Sequence, residues 1–146
     1  MQKITPFLWY DGKAEEAAEF YTSIFSDSKI ISYMGAKGEA MGVTIEIEGQ
    51  RFILFNGGPM FHFTPAVSLY VNAETQAEID ELWDKLSAGG EAERCGWLKD
   101  KFGLSWQIIP PVLAQLLGNP DREKADRVMK AMLGMTKLDI KALQDA

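Results

Sequence analysis

Few residues in this chain could do chemistry: one histidine, His62, one cysteine, Cys95, and an amide, Gln107, set late among large apolar neighbours. Gln107 lies in Phe102-Gly103-Leu104-Ser105-Trp106-Gln107-Ile108-Ile109-Pro110. That stretch reads as a turn at Gly103 feeding a short strand, closed by two prolines that cannot donate ladder hydrogen bonds. In a period-2 reading Ser105, Gln107 and Ile109 share one face, and Leu104, Trp106 and Ile108 share the other. On a binding surface the Gln107 amide would orient a ligand. As a structural group it would bond neighbouring backbone, because buried amides must find partners. Both uses fit the sequence.

The remaining candidates are weaker. Cys95 would be a nucleophile only beside a base or a positive charge that lowers its pKa. Its near neighbours are Glu93 and Arg94, with no histidine assigned to it, so a small residue lining the interior is the simpler account. His62 falls in a loop and would serve as a base only by folding over an opening. Asp100 and Lys101 read first as turn charges that could lean over a cleft mouth. Asn56-Gly57-Gly58-Pro59 matches neither GxGxxG nor GxxxxGK[ST], and no helix follows to cap phosphates, so it reads as a turn closing a strand. Phe7, Trp9, Tyr70 and Trp97 suit an apolar small-molecule pocket, and ordinary core packing explains the same rings.

The elements that must position these residues follow from periodicity. Ile4–Tyr10 is a first strand, with Thr5, Phe7 and Trp9 on one face and Ile4, Leu8 and Tyr10 on the other. Asp11-Gly12 turns the chain into a helix over Lys13–Phe25, striped by Ala14, Ala17, Tyr21 and Ile24. Strands are expected near Lys29–Met34, Met41–Glu48 and Arg51–Asn56, the last two joined by a hairpin-length link at Glu48-Gly49-Gln50. After a loop the plan restarts: a strand at Ala66–Val71, then a helix from a Thr75-x-x-Glu78 capping box to Gly89-Gly90. That helix is striped by Ile79, Leu82, Trp83 and Leu86, and short strands follow at Glu93–Leu98 and Leu104–Ile109. Strand, helix and several short strands, repeated after roughly sixty residues, is the pattern of a duplicated βαβββ module. The tail is helical: Val112, Leu113, Leu116 and Leu117 before Gly118-Asn119-Pro120, then Asp121–Leu133 with Ala125, Val128, Met129 and Met132 on one side. A last short helix, with Leu138 and Leu143, would start at Thr136-x-x-Asp139.

Composition narrows the function classes. The chain has 146 residues, 47% hydrophobic and 25% charged, which are globular values. A net charge of −6 and a pI near 4.8 argue against a nucleic-acid partner. No apolar run is long enough for a membrane span, and the N-terminal residues lack a signal peptide's apolar stretch. A single cysteine excludes an intrachain disulfide framework and fits a reducing cytoplasm.

With these pieces placed, the chain resembles the vicinal oxygen chelate superfamily of glyoxalase I, bleomycin-resistance proteins and extradiol dioxygenases. More closely it resembles the PhnB-like, 3-demethylubiquinone-9 3-methyltransferase-like branch. The resemblance rests on Ile4-Thr5-Pro6-Phe7-Leu8-Trp9, Ala17-Ala18-Glu19-Phe20-Tyr21, Asn56-Gly57-Gly58-Pro59, Ala66-Val67-Ser68-Leu69-Tyr70-Val71, Cys95 through Gly103, and Ser105-Trp106-Gln107. It extends over nearly the whole chain, tail included. It implies an α+β fold of two βαβββ modules, about residues 1–58 and 66–110, whose mixed sheets curl into a cup. Residues 111–146 form a helical extension, and a homodimer is implied.

Metal-using members of the superfamily place four His, Glu or Gln ligands on inner strand faces. By strand phase those positions fall near Thr5, Asn56, Ala66 and Gln107, where Gln107 stands in place of a glutamate found in many relatives. One histidine cannot make a three-histidine or two-histidine-one-carboxylate site, and neutral amides repay little of a divalent ion's hydration. The expectation is therefore a cytoplasmic protein binding a small organic molecule in a metal-free cleft lined by Phe7, Trp9, Asn56, Ser68, Tyr70, Cys95, Trp97 and Gln107. No cofactor is expected, although weak divalent binding stays open. The alternatives are a metal-dependent isomerase, lyase or dioxygenase of the superfamily, and a methyltransferase acting on a demethylubiquinone-like ring. The last rests on the family's name, since no Gly-rich strand-to-helix turn for a methyl donor is present.

Overall fold

The computed structural model describes residues 2–146. The chain divides into two compact units, one ending at Phe63 and the other running from Thr64 to Ala146. The first unit runs β1 (Phe7–Tyr10), α1 (Ala14–Ile24), β2 (Ser28–Met34), β3 (Gly42–Ile47) and β4 (Gln50–Asn56). Its sheet has the order β1-β4-β3-β2, with β1 parallel to β4 and the other pairs antiparallel. The β1–α1–β2 crossover, which carries the chain from one edge of the sheet to the other, must lay its helix on one sheet face, and the burial alternates accordingly. Leu8, Tyr10, Val43, Ile45, Phe52 and Leu54 are buried together with Ala14, Ala17, Ala18 and Tyr21 of α1. Three alanines on that stripe let the helix approach the sheet closely. The β3–β4 link is a two-residue turn with Glu48 at φ 50° and Gly49 at φ 81°, the left-handed pair whose twist suits a tight hairpin.

The second unit repeats the plan: β5 (Ser68–Asn72), α2 (Gln76–Ser87), β6 (Glu91–Ala92), β7 (Trp97–Lys99) and β8 (Ser105–Ile109). The sheet order is β5-β8-β7-β6, again with first and last strands parallel. Both sheets are open, so the fold is α+β with two four-stranded mixed sheets, as the sequence pattern implies. The α2 cap is as read from the sequence: the Thr75 hydroxyl accepts from Glu78 N–H at 3.1 Å. Ile79, Leu82, Trp83 and Leu86 are all buried.

Several details differ from the sequence reading. β1 begins at Phe7 and not Ile4, and β5 at Ser68 and not Ala66, which leaves Thr5 and Ala66 outside the strands. The stretch 93–98 is not one strand, because Cys95 (φ 60°) and Gly96 (φ 83°) take left-handed conformations that no strand can continue. The last helix starts at Asp139, whose carboxylate accepts from Ala142 N–H, and not at Thr136. Met129 is 41% exposed, leaving Ala125 and Val128 to bury the inner side of its helix.

The tail comprises α3 (Val112–Leu117), α4 (Arg122–Leu133) and α5 (Ile140–Asp145). It encloses a small core of Leu113, Val128, Leu138 and Leu143 that joins Ile109 at the end of β8. Lys137 ties it to α2 through Asp80 at 2.9 Å. The hydrogen bond from Lys137 holds Asp80 below its ordinary 3.8, and Asp80 in turn holds Lys137 above its ordinary 10.5. No helix among the described residues is long and apolar enough to cross a membrane.

Asp100, read from the sequence as a turn charge, is 2% exposed. Its carboxylate accepts from Phe102 N–H (2.9 Å), Leu104 N–H (3.1 Å) and the Trp106 indole (2.9 Å), fixing the turn that launches β8. Asp100→Ala strips buried donors of their acceptor and should cost on the order of 3 kcal/mol in urea unfolding, whereas Lys101→Ala next door should cost well under 1. The Asp80–Lys137 tie should show in the pH dependence of melting. A depressed carboxylate stabilises above its unfolded value and loses that contribution as pH falls through its folded one; a raised lysine does so below its unfolded value and loses it as pH rises through its folded one. The melting difference between the native chain and Lys137→Met should thus be steady from about pH 5 to 9 and shrink below Asp80's ordinary 3.8.

Candidate functional site

In the first unit the sheet face away from α1 is aromatic. Register places Phe7 beside Ile53 and Thr44 in one row, and Trp9 beside Phe55 and Gly42 in the next. Phe7 and Phe55 lie 5.1 Å apart between ring centroids, Trp9 and Phe55 5.6 Å, and Trp9 and Phe61 5.0 Å, the two Trp9 pairs being edge-on. Such tilted pairs each add about 1 kcal/mol beyond area burial. Phe7 and Phe61 remain more than half exposed. Trp9 is held from two sides. Its indole N–H donates to the Gly58 carbonyl at 2.9 Å, and the ring lies so close on Gly57 that an added Cβ there would fall 2.1 Å from ring carbons. The Gly57-Gly58 pair is therefore a bed for an indole and not a phosphate loop.

Asn56, expected among the cleft residues, sits one residue out of phase with Phe55 and on the α1 side. Its Oδ1 accepts from Ala14 N–H at 2.8 Å and its Nδ2 donates to Ala40 C=O at 3.1 Å. It does from a distance what Lys13, at the helix start, cannot do, since Lys13 makes no side-chain cap. Both ends of this amide are occupied.

In the second unit the face away from α2 carries two rows. Tyr70, Gln107 and Trp97 are register neighbours on β5, β8 and β7, and Ser68, Ser105 and Lys99 form the next row. Gln107 Nε2 donates to Ser68 Oγ at 2.9 Å. Tyr70 is 55% exposed, and Gln107, Ser68 and Trp97 are half-buried. Ser105 is fully buried, and its hydroxyl is the one buried side-chain polar atom without a hydrogen-bond partner among the described residues. Lys99 pairs with Glu93 at 3.6 Å. Cys95 is half-buried at the left-handed corner preceding β7, and His62 is exposed in the loop before the second unit.

The structure thus groups Phe7 with Trp9 on one face, and Ser68, Tyr70, Trp97 and Gln107 on another. It sets Asn56 behind the first face and Cys95 beside the second. Sequence reasoning missed Phe55 and Phe61, since Phe55 enters the aromatic cluster only through the β1–β4 register and Phe61 through a loop return.

The donor set does not suit a resident metal. Of the four positions implied by resemblance, Ala66 offers no donor atom and Asn56 has both amide ends engaged; Gln107 donates its amide N–H to a serine and is neutral. Among the described residues no group of three or more His, Cys, Asp or Glu could hold a metal ion.

Substituting Gly57→Ala should push the Trp9 ring off its bed, with a loss of about 2 kcal/mol in stability and a shifted Trp9 indole resonance in 15N NMR. An unmoved indole would show that the bed is not what holds the ring.

A family model described as 3-demethylubiquinone-9 3-methyltransferase matches residues 2–109. The match stops at the end of β8, so the tail, expected within the resemblance, lies outside it. Among solved structures, the PhnB protein from Bacillus cereus, which carries the same methyltransferase name, is 41% identical with a TM-score of 0.68. It aligns over 75% of this chain and 99% of its own. Protein PA1353 from Pseudomonas aeruginosa is 18% identical over 74% of this chain and 96% of its own, with a TM-score of 0.61. A mutant of the fosfomycin resistance protein FosX from Listeria monocytogenes, complexed with Mn(II) and a dihydroxypropylphosphonic acid, is 18% identical over 79% and 98% with a TM-score of 0.58. The last two likenesses are of fold. The chain matches no curated protein.

Proposed function

This chain belongs to the 3-demethylubiquinone-9 3-methyltransferase family, the PhnB-like branch of the vicinal oxygen chelate superfamily, and we propose that within that fold it binds a small organic molecule through rings and neutral hydrogen-bonding groups, without a tightly held metal. The observation that carries the reading is the Tyr70–Gln107–Trp97 row, with the Gln107 amide already turned toward Ser68. An amide so tethered leaves its carbonyl oxygen as an acceptor, and the Ser68 hydroxyl, having accepted, can donate onward. Flanked by two aromatic side chains, this is the make-up of a small-molecule site: apolar walls with a few placed polar groups. Phe7 and Trp9 of the first unit supply further exposed ring surface of the same kind.

The donor chemistry supports the metal-free part of the reading. A divalent cation exchanges strongly bound water for protein oxygen or nitrogen, and it does so profitably at anionic or imidazole donors. Neither is present at the four positions. The family's printed description favours a second reading, methyl transfer. Against it stands the β1–α1 turn, Asp11-Gly12-Lys13, which has one glycine and whose following Ala14 N–H is already taken by Asn56. A cytoplasmic homodimer completes the proposal, with the single cysteine suiting a reducing compartment.

Elemental analysis of the purified protein should find metals well below one equivalent; stoichiometric zinc, iron, nickel or manganese would replace this reading with Lewis-acid chemistry. A metabolite screen by thermal shift should return ligands whose affinity falls about tenfold in Gln107→Ala, the worth of one buried hydrogen bond. Calorimetric heat with S-adenosylmethionine would instead favour methyl transfer.

A further inference from the structure

The family match covers residues 2–109 and the bacterial PhnB likeness three quarters of the chain, and the tail lies outside the family match. That addition is not a loose appendage. Its Met135–Thr136 segment pairs with the corner before β7: Cys95 N–H donates to Met135 C=O at 2.9 Å, and Gly96 N–H to Thr136 C=O at 2.8 Å. The Gly96 carbonyl in turn accepts from Ile108 N–H at 2.8 Å, within β8 and next to Gln107. Packing is as close as the bonding. A Cβ on Gly96 would lie 2.9 Å from Ile109 Cδ1 and 3.1 Å from Leu138 Cγ, so the tail's Leu138 closes directly on the corner. Besides the Lys137–Asp80 pair, the tail is clamped to α2 by a second contact. Gln76 Nε2 donates to Leu138 C=O at 3.0 Å while Gln76 Oε1 accepts from Ile140 N–H at 2.8 Å.

Cys95 and Gly96, both at positive φ, are the central pair of a hydrogen-bonded turn in which Trp97 N–H donates to Arg94 C=O at 3.1 Å, the same kind of left-handed pair as Glu48-Gly49. What the tail adds is a partner for both N–H groups of that central pair.

We propose that the 110–146 extension is the specificity-determining element of this chain: by clamping Cys95-Gly96 through Met135, Thr136 and Leu138, with Gln76 as the positioning residue, it fixes where Trp97 stands beside Gln107. The inference rests on the small-molecule reading of that face, but its geometry can be tested without a ligand.

The test uses the full chain, in which Cys95 is the sole thiol and therefore a clean probe. Gln76→Ala removes both clamp bonds, together with the Gln76 Nε2 donation to Asp80 at 3.0 Å. The rate of Cys95 reaction with 5,5′-dithiobis(2-nitrobenzoate) should rise about tenfold as the corner opens locally, and the Trp97 indole resonance should move while that of Trp9 stays. Lys141→Ala, which removes only an exposed pair with Asp145, should change neither. Should Gln76→Ala fail to fold, Gln76→Met loses the same bonds while keeping the side chain's length and helix preference, and it should give the same changes. A folded Gln76 variant with a thiol rate within twofold of the native chain and an unmoved Trp97 overturns the proposal, even if its melting temperature drops. If Trp97 responds but ligands from the thermal-shift screen leave its resonance untouched, the clamp is real and the specificity claim falls with the small-molecule reading. If ligands shift Trp97 and the clamp does not, only the present inference falls.

Discussion

The parallel pairing of the first strand with the last in each unit governs what the rest of the chain can do. Such a pair cannot be closed by a hairpin: the chain leaves the first strand through a helix to the far edge of the sheet and returns through two more strands, so the helix covers one sheet face and leaves the other. Every strand residue is then committed by phase. In β1 the commitment sends Leu8 and Tyr10 under α1 and turns Phe7 and Trp9 outward; in β8 it sends Trp106 and Ile108 inward and turns Ser105 and Gln107 the other way. A one-residue slip of β8 against β5 would bury the amide under α2 and expose an indole, a change opposed by the full burial of Ile108 and by the Asp100 carboxylate on the Trp106 N–H. The placement of the polar row is therefore a by-product of core packing. It needs no separate device.

Much of this was legible because it is written in local periodicity. The stripe Ile79, Leu82, Trp83, Leu86 and the Thr75 cap announce α2, and Glu48-Gly49 announces the hairpin, since each signal is confined to a few neighbouring residues. The twofold βαβββ plan followed from reading the same order of signals twice. What stayed hidden depends on register between distant strands. Phe55 and Asn56 are adjacent, and only the pairing of β4 with β1 decides that the phenylalanine joins Trp9 while the amide turns back to cap α1. Asp100 was hidden for another reason. A carboxylate in Lys99-Asp100-Lys101 has every compositional mark of a surface turn, yet it closes on the backbone and indole of the strand it precedes. Cys95 gave no warning either, because left-handed backbone at a non-glycine residue is imposed by tertiary contacts and not by the side chain.

The neutral character of the second face can be argued one step further from the hydroxyl groups around Gln107. A glutamate in its place would turn two acceptor oxygens toward Ser68, and a serine hydroxyl meets either partner, accepting from an amide N–H or donating to a carboxylate. Local hydrogen bonding therefore does not select the amide. Lys99 does not select it either, since its ammonium is matched to Glu93 in the sheet and brings no net positive charge to steady a second carboxylate. A carboxylate half-buried between Tyr70 and Trp97 would have to find a counter-charge among ligands entering the site. With one histidine in the whole chain and Asn56 spent on a helix end, the neighbouring side chains bring no such charge of their own, and a neutral amide is the side chain that leaves the face without an uncompensated charge.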